Sequence, residues 1–266
     1  MKGKVVTGVV LENDAVVQST LTDPKGAILR QSELKGELIR YVLSSTQPGA
    51  KGTFIVPVPG QMLVRDHRPP AAPGKAPAAP GKAPAAPGKA PAAPPAQADA
   101  GDPGSSRGAT AFQWSKQLTY DEATDTAVFT GDVFIVHQND DAKEEPARLR
   151  ADKVVAVFEP RPNPAAKPVV AQPGAAPQPG SQLQLKSMTA TGNVVVTRTA
   201  SELDAPRMDY DPVTGWMVAT GTPREPATFI DATGVNSATA GRIDWNAQTW
   251  NVKLKDIISR TGRKIP

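Results

Sequence analysis

The sequence predicts an all-β protein, a single interrupted domain of stacked strands, and three observations lead there. Outside two low-complexity tracts, Val, Ile, Phe, Tyr and Thr alternate with polar residues, the two-residue period of a strand with one wet face. A phrase also recurs: Val128-Phe129-Thr130-Gly131-Asp132-Val133 is answered by Met188-Thr189-Ala190-Thr191-Gly192-Asn193-Val194. Tyr120-Asp121 lies eleven residues before Gly131, as Tyr210-Asp211 lies eleven before Gly221. Fixed spacing of this kind marks a stacked supersecondary unit, and the Thr-Gly-Asx phrase reads as a repeated β-hairpin corner. Helical periodicity, finally, is nearly absent. Gln31 to Val42 places Leu34, Leu38, Ile39 and Val42 at helical spacing but reads equally as strand, and its neighbours are strands.

The elements follow in three β-rich pieces. The first, residues 1–66, holds alternating runs at Val5–Leu11, Ala15–Thr20, Ile28–Leu34, Glu37–Leu43, Gly52–Val58 and Met62–Asp66. The second, 112–159, contributes a strand near Ala111–Tyr120, the pair Thr126–Thr130 and Val133–Gln138 around the first Thr-Gly-Asx corner, and Ala147–Phe158. The third, 182–258, opens with Leu183–Ala190 and Val194–Thr199 around the second corner. It continues with Glu202–Tyr210, Gly215–Thr220, Ala227–Asp231, Gly234–Asn246 and Thr249–Leu254. Turns are expected where Gly and Asx tolerate positive φ: at both corners, at Pro212-Val213-Thr214-Gly215 and at Asn246-Ala247-Gln248.

The 28 Pro and 22 Gly remove part of the chain from any core. Residues 67–111 are a Pro/Ala/Gly/Lys-rich insert in which Ala-Ala-Pro-Gly-Lys-Ala-Pro occurs three times in succession from Ala71 to Pro91, and 160–181 are a second Pro/Ala-rich insert. Proline every few residues favours a solvated polyproline II arm, so both read as disordered loop insertions within one sheet stack. A basic tail, 259–266, closes the chain.

Composition excludes several functions. Lys75, Lys82 and Lys89 lie in the first insert and account for most of the +4 net charge, while the remaining Lys and Arg are scattered among Asp and Glu. That is not the clustered footprint of a nucleic-acid binder. Absence of Cys rules out disulfides, thiolate metal sites and a cysteine nucleophile. No run reaches the roughly 18 apolar residues of a spanning helix. Met1 to Val10 has a basic start without the apolar segment of a signal peptide and resembles the middle of a β protein, so the chain is expected to begin inside a longer product.

Catalytic chemistry finds no foothold. His67 and His137 stand in no metal-ligand spacing, and no nucleophile elbow, P-loop or dinucleotide fingerprint occurs. Asp209-Tyr210-Asp211-Pro212-Val213-Thr214-Gly215 faintly imitates a calcium loop, but Thr220 stands where the bidentate Glu belongs, and a type I turn accounts for the same residues. Glu144-Glu145 and Asp140-Asp141 share one charged loop, unlike the paired carboxylates of a glycosidase. No catalytic residue, metal or cofactor is assigned, and the chain is read as a non-enzyme.

Phe129-Thr130-Gly131-Asp132-Val133, Thr191-Gly192-Asn193-Val194-Val195-Val196 and Leu149-Arg150-Ala151-Asp152-Lys153-Val154-Val155 resemble the OstA-like repeats of the LptA family of lipopolysaccharide-transport periplasmic proteins. The match is best over 112–158 and 183–254; over 1–66 it is weaker, with Leu34-Lys35-Gly36-Glu37-Leu38-Ile39-Arg40-Tyr41 and Gly52-Thr53 as echoes. This resemblance implies a stacked antiparallel β-jellyroll with an open groove for the acyl chains of lipopolysaccharide or a similar glycolipid. It further implies partners of the same fold joined by edge-strand pairing, and a place in the periplasm or cell envelope, in outer membrane assembly. The Pro-rich inserts depart from the family pattern, as does the lack of an anchor or a barrel-length strand series.

Parity within the strands supplies candidates independently. Val133 and Ile135, Val194 and Val196, Leu203 and Ala205, Met208 and Tyr210, Met217 and Ala219, and Ile243 and Trp245 each keep to one face. Stacking aligns them into an apolar strip. A sealed pair of sheets makes that strip a core; sheets splayed along one edge make it a lipid trough. Parity alone does not choose between them and by itself favours the core; with the acyl-chain groove that the resemblance implies, the expected lipid-binding residues are Val133, Ile135, Val194, Val196, Leu203, Met208, Tyr210, Met217, Ile243 and Trp245. The alternatives are a self-assembling β-solenoid scaffold without lipid and, with less support, a carbohydrate-binding or esterase-like surface module.

Overall fold

A computed structural model describes residues 7–23, 25–45, 50–67, 108–140, 145–160, 183–234, 236–246 and 251–261. Every regular element among them is a strand: β1 (Gly8–Thr22), β2 (Ile28–Leu43), β3 (Gly52–Val56), β4 (Gly60–Asp66), β5 (Gly108–Trp114), β6 (Gln117–Asp121), β7 (Thr126–Asn139), β8 (Ala147–Pro160), β9 (Leu183–Arg198), β10 (Ser201–Asp211), β11 (Trp216–Thr220), β12 (Ala227–Ile230), β13 (Ser237–Asn246) and β14 (Val252–Thr261). All pairings are antiparallel within one sheet. The long β2 and β7 are bridged by two parallel files of short strands, β4–β5 along one half of their length and β3–β6 along the other. In the same way β11 and β12 together span the gap between β10 and β13.

The Thr-Gly-Asx phrase is not a hairpin corner. Thr130 and Val133 both belong to β7, and Thr191 and Val194 both belong to β9, so four expected strands are two. Between them Gly131-Asp132 and Gly192-Asn193 oppose the single residue Asp152 of β8 as β-bulges. The left-handed backbone of such a bulge suits glycine followed by an Asx: φ is 80° and 39° at the first, 74° and 47° at the second. Asn193 Nδ2 donates to Asp152 Oδ2 at 3.0 Å. Asn13 and Asp14 make the same left-handed pair in β1, opposite Glu37 of β2, and merge two more expected strand pairs. Gln31 to Val42 is strand throughout.

A bulge bends its strand, and aligned bulges bend the whole sheet. The inward faces of its two halves pack into one hydrophobic cluster. Aromatic contacts tie the halves: Phe112 on one stacks over Phe129 on the other at 5.2 Å, and Phe229 meets Trp245 edge-on at 5.6 Å. This is the stacked antiparallel jellyroll expected from the sequence.

Hairpins lie instead at the Tyr-Asp echoes, as well as at Thr199-Ala200 between β9 and β10 and at Asp23 and Gly26 between β1 and β2. Asp121 Oδ1 accepts from Ala123 N, and Asp211 Oδ1 from Val213 N, so each aspartate caps a turn before the chain returns to Gly131 or Gly221. Asp209 pairs instead with Arg207 and accepts from Thr189. Most of the two inserts lies outside the described residues, as do Glu144 and part of the Asn246-Ala247-Gln248 turn. Three boundaries move: β5 begins at Gly108 inside the stretch read as insert, the strand expected at Ala111–Tyr120 divides at Ser115-Lys116, and β14 runs through Ser259, Arg260 and Thr261 of the expected tail.

Candidate functional site

Register converts the parity argument into geometry. On one half of the sheet Val17, Leu34, Met62, Phe112, Ile135, Leu149, Val196, Leu203, Phe229 and Ala238 are successive cross-strand partners, an apolar file that crosses ten strands without a polar break. On the other half Val9, Tyr41, Phe54, Tyr120, Ala127, Ala156, Met188, Tyr210, Met217, Trp245 and Val252 form a second. A third runs nearer the bend, through Val56, Leu118, Phe129, Val154, Ala190, Met208, Ala219, Ile243 and Leu254. Alternation of small and large residues along it, as in Ala190, Met208, Ala219 and Ile243, lets the two halves approach closely.

All ten residues expected to contact lipid belong to this shared interior. Eight lie on the three files, and Val133 and Val194 flank the bulges. Nine of the ten are no more than 7% exposed, and Tyr210 is partly buried. Over the central and C-terminal strands the strip is thus closed as a core.

Inward apolar surface opens elsewhere. Tyr41, Phe54, Tyr120 and Phe158 are partly buried and make a ring-to-ring series with centroid separations of 4.4, 6.5 and 6.4 Å. With Leu185 and Met188 they border the side away from the bulges, which we term the mouth. Polar groups organise its rim. Tyr41 Oη donates to Glu122 Oε2 at 2.9 Å, and the Gly52 N–H donates to the same oxygen at 2.8 Å. Tyr120 Oη donates to Asp125 Oδ1 at 3.2 Å. Burial and the neighbouring carboxylate push the Tyr120 hydroxyl well above the ordinary tyrosine range, with burial the larger cause, so it stays neutral and a donor. Burial likewise raises Tyr210. His137 sits on the same rim with its ring nitrogens against Thr110 and Asn139.

The aromatic series was missed by sequence reasoning. Its members keep the inward parity of their strands, but only register across four strands reveals them as neighbours. Two hollows lie elsewhere, around Trp114: one of about 730 Å³ between Asp14, Val16, Lys35, Glu37 and Gln61, and one of about 450 Å³ beside Asp132, Phe134 and Arg150. The first mixes the charges of Asp14, Lys35 and Glu37 with apolar Ala15, Val16, Pro59 and Trp114. No group of His, Asp and Glu able to hold a metal occurs among the described residues, and no helix there is long and apolar enough to cross a membrane.

No protein-family model matches the sequence, and no curated protein does. Among solved structures, the chain is similar to LptH from Pseudomonas aeruginosa, described as the LptA homologous periplasmic component of the conserved lipopolysaccharide transport device. That likeness has a TM-score of 0.36 and 14% identity, over 58% of this chain and 90% of LptH.

Proposed function

We propose that this chain is a noncatalytic binding and transport module for lipopolysaccharide or a similar glycolipid of the cell envelope. It shelters acyl chains along the inward files and joins like domains through its terminal strands. One observation carries the reading: the strip runs off both ends of the sheet. Positions that are buried in the middle of the sheet are open at β1, where Val9 is 47% and Leu11 38% exposed, and at β14, where Ile257 is 55% exposed. Among the described residues β1 pairs only with β2 and β14 only with β13, so each end also offers unpaired backbone to another strand. A like domain docked there would continue the files. Each methylene hidden along them contributes roughly 0.8 kcal/mol.

The closed interior over the C-terminal strands favours a second reading, a self-assembling scaffold with a dry core. Purification of the chain from an envelope extract, followed by mass spectrometry of the bound fraction, separates the two. Stoichiometric glycolipid supports transport. Filaments seen by electron microscopy in lipid-free protein, with no glycolipid in the bound fraction, support the scaffold.

A further inference from the structure

Arg30 makes a contact that the sheet order alone would forbid. Its Nη1 donates to the carbonyl oxygen of Leu183 at 3.2 Å, across a sequence separation of 153. Four strands separate β2 from β9 in the sheet. At about 4.8 Å per strand, the two would lie roughly 24 Å apart along a flat surface. They belong, however, to opposite halves: Arg30 pairs with Asp66 at the far end of one, and Leu183 with Pro160 at the far end of the other. Twist of roughly 20–25° per strand swings one rim over the other, and the arginine spans what remains.

The side chain shares the inward parity of Ser32 and Leu34. It therefore passes over the mouth instead of the outer surface. Its positive charge offsets a small part of the rise that burial causes at the Tyr120 hydroxyl. Leu183, Leu185 and Met188 continue along β9 from the anchor point toward the closed core.

Building on the glycolipid reading, we propose that the acyl chain loads between Arg30 and the Tyr41, Phe54, Tyr120 and Phe158 series, and that the Arg30–Leu183 hydrogen bond is the latch that must open to admit it. The nine closed candidate positions cannot receive a chain directly. The aromatic series can, because its faces are partly open and lead along the same file to Met188 and Tyr210. Lysine in place of Arg30 retains the positive charge and a donor; alanine retains neither.

The test uses the full chain, which contains no cysteine of its own. Met188→Cys reports the mouth, and Lys153→Cys on the outer face reports general loosening. Arg30→Ala should raise maleimide labelling at position 188 at least tenfold, leave position 153 within twofold, and speed uptake of the fluorescent fatty acid cis-parinaric acid at least threefold. Arg30→Lys should stay within threefold of the parent in both assays. Equal labelling and equal uptake in parent and Arg30→Ala overturns the latch while leaving the lipid reading intact. No uptake by either protein overturns the loading site together with that reading. A matched rise at positions 188 and 153 shows a general structural role and also overturns the latch.

Discussion

The two ends of this sheet use the same bulged, antiparallel construction and close it to different degrees. From β8 to β13 the inward positions include Val154, Ala190, Met208, Ala219, Ile243 and Trp245, none more than 1% exposed. From β1 to β4, Val56 and Ile39 are nearly as closed, but on the two outer files Val17, Leu34, Phe54 and Met62 are only partly buried, and Val9 and Leu11 are open. Ala190 and Ala219 alternate with Met208 and Ile243 on the third file and let the C-terminal halves approach closely. Val9 and Leu11, by contrast, lie on β1, which has β2 alone beside it among the described residues. One region supplies stability, and the other supplies accessible apolar surface.

The contrast is most sharply tested by truncation. Trp245→Ala or Phe129→Ala should cost about 3–5 kcal/mol in urea unfolding, because each removes a fully buried aromatic. Leu34→Ala and Met62→Ala should cost less than half as much. Equal losses would mean that the N-terminal files are as tightly packed as the rest.

Next come the bulges. Gly192→Ala puts a side chain at φ 74° and against the Asp152 carboxylate, which should cost about 1–2 kcal/mol by the left-handed backbone penalty alone. Asn193→Ala forfeits the hydrogen bond to Asp152 and should cost about 1 kcal/mol. Normal stability in both would show that the bend does not depend on these residues.

The terminal strands should respond in assembly and not in folding. Val9→Asp and Ile257→Asp alter exposed positions, so Tm should change by no more than a few degrees. Multi-angle light scattering should nevertheless show loss of oligomers at either variant. Oligomers of undiminished size would place any self-association on another surface.

A smaller effect belongs to the loop beside β12. Hydrogen bonds from Thr233 and Asn236 hold the Asp231 carboxyl at about 2, below the ordinary carboxylate range. Its ionised form is therefore favoured in the folded loop, and that stabilisation persists at neutral pH and fades as pH falls toward 2. NMR titration of the carboxyl carbon should give the low midpoint; a midpoint near 4 would show that the loop is not held this way.

Parity made the core legible in advance. Ile135, Val196, Leu203, Met208, Met217, Ile243 and Trp245 fall on files that cross the sheet because a two-residue period fixes the face of every strand residue. Bulges were harder to read. Gly131-Asp132 carries the left-handed signal of a hairpin turn, and nothing local says that the chain continues forward afterwards. Long-range register was beyond reach: Tyr41, Phe54, Tyr120 and Phe158 become neighbours only when β2, β3, β6 and β8 are placed, and Arg30 meets Leu183 only through the accumulated twist.

The central claim is that the inward files, and no other face, hold glycolipid. Met188 and Thr189 are adjacent in β9 and point to opposite faces, Met188 into the mouth and Thr189 outward to Asp209. A photocrosslinking amino acid should be placed at each position in turn and irradiated in an envelope extract. Capture of glycolipid at 188 and not at 189 is the predicted result; equal capture at both, or none at 188, would contradict it.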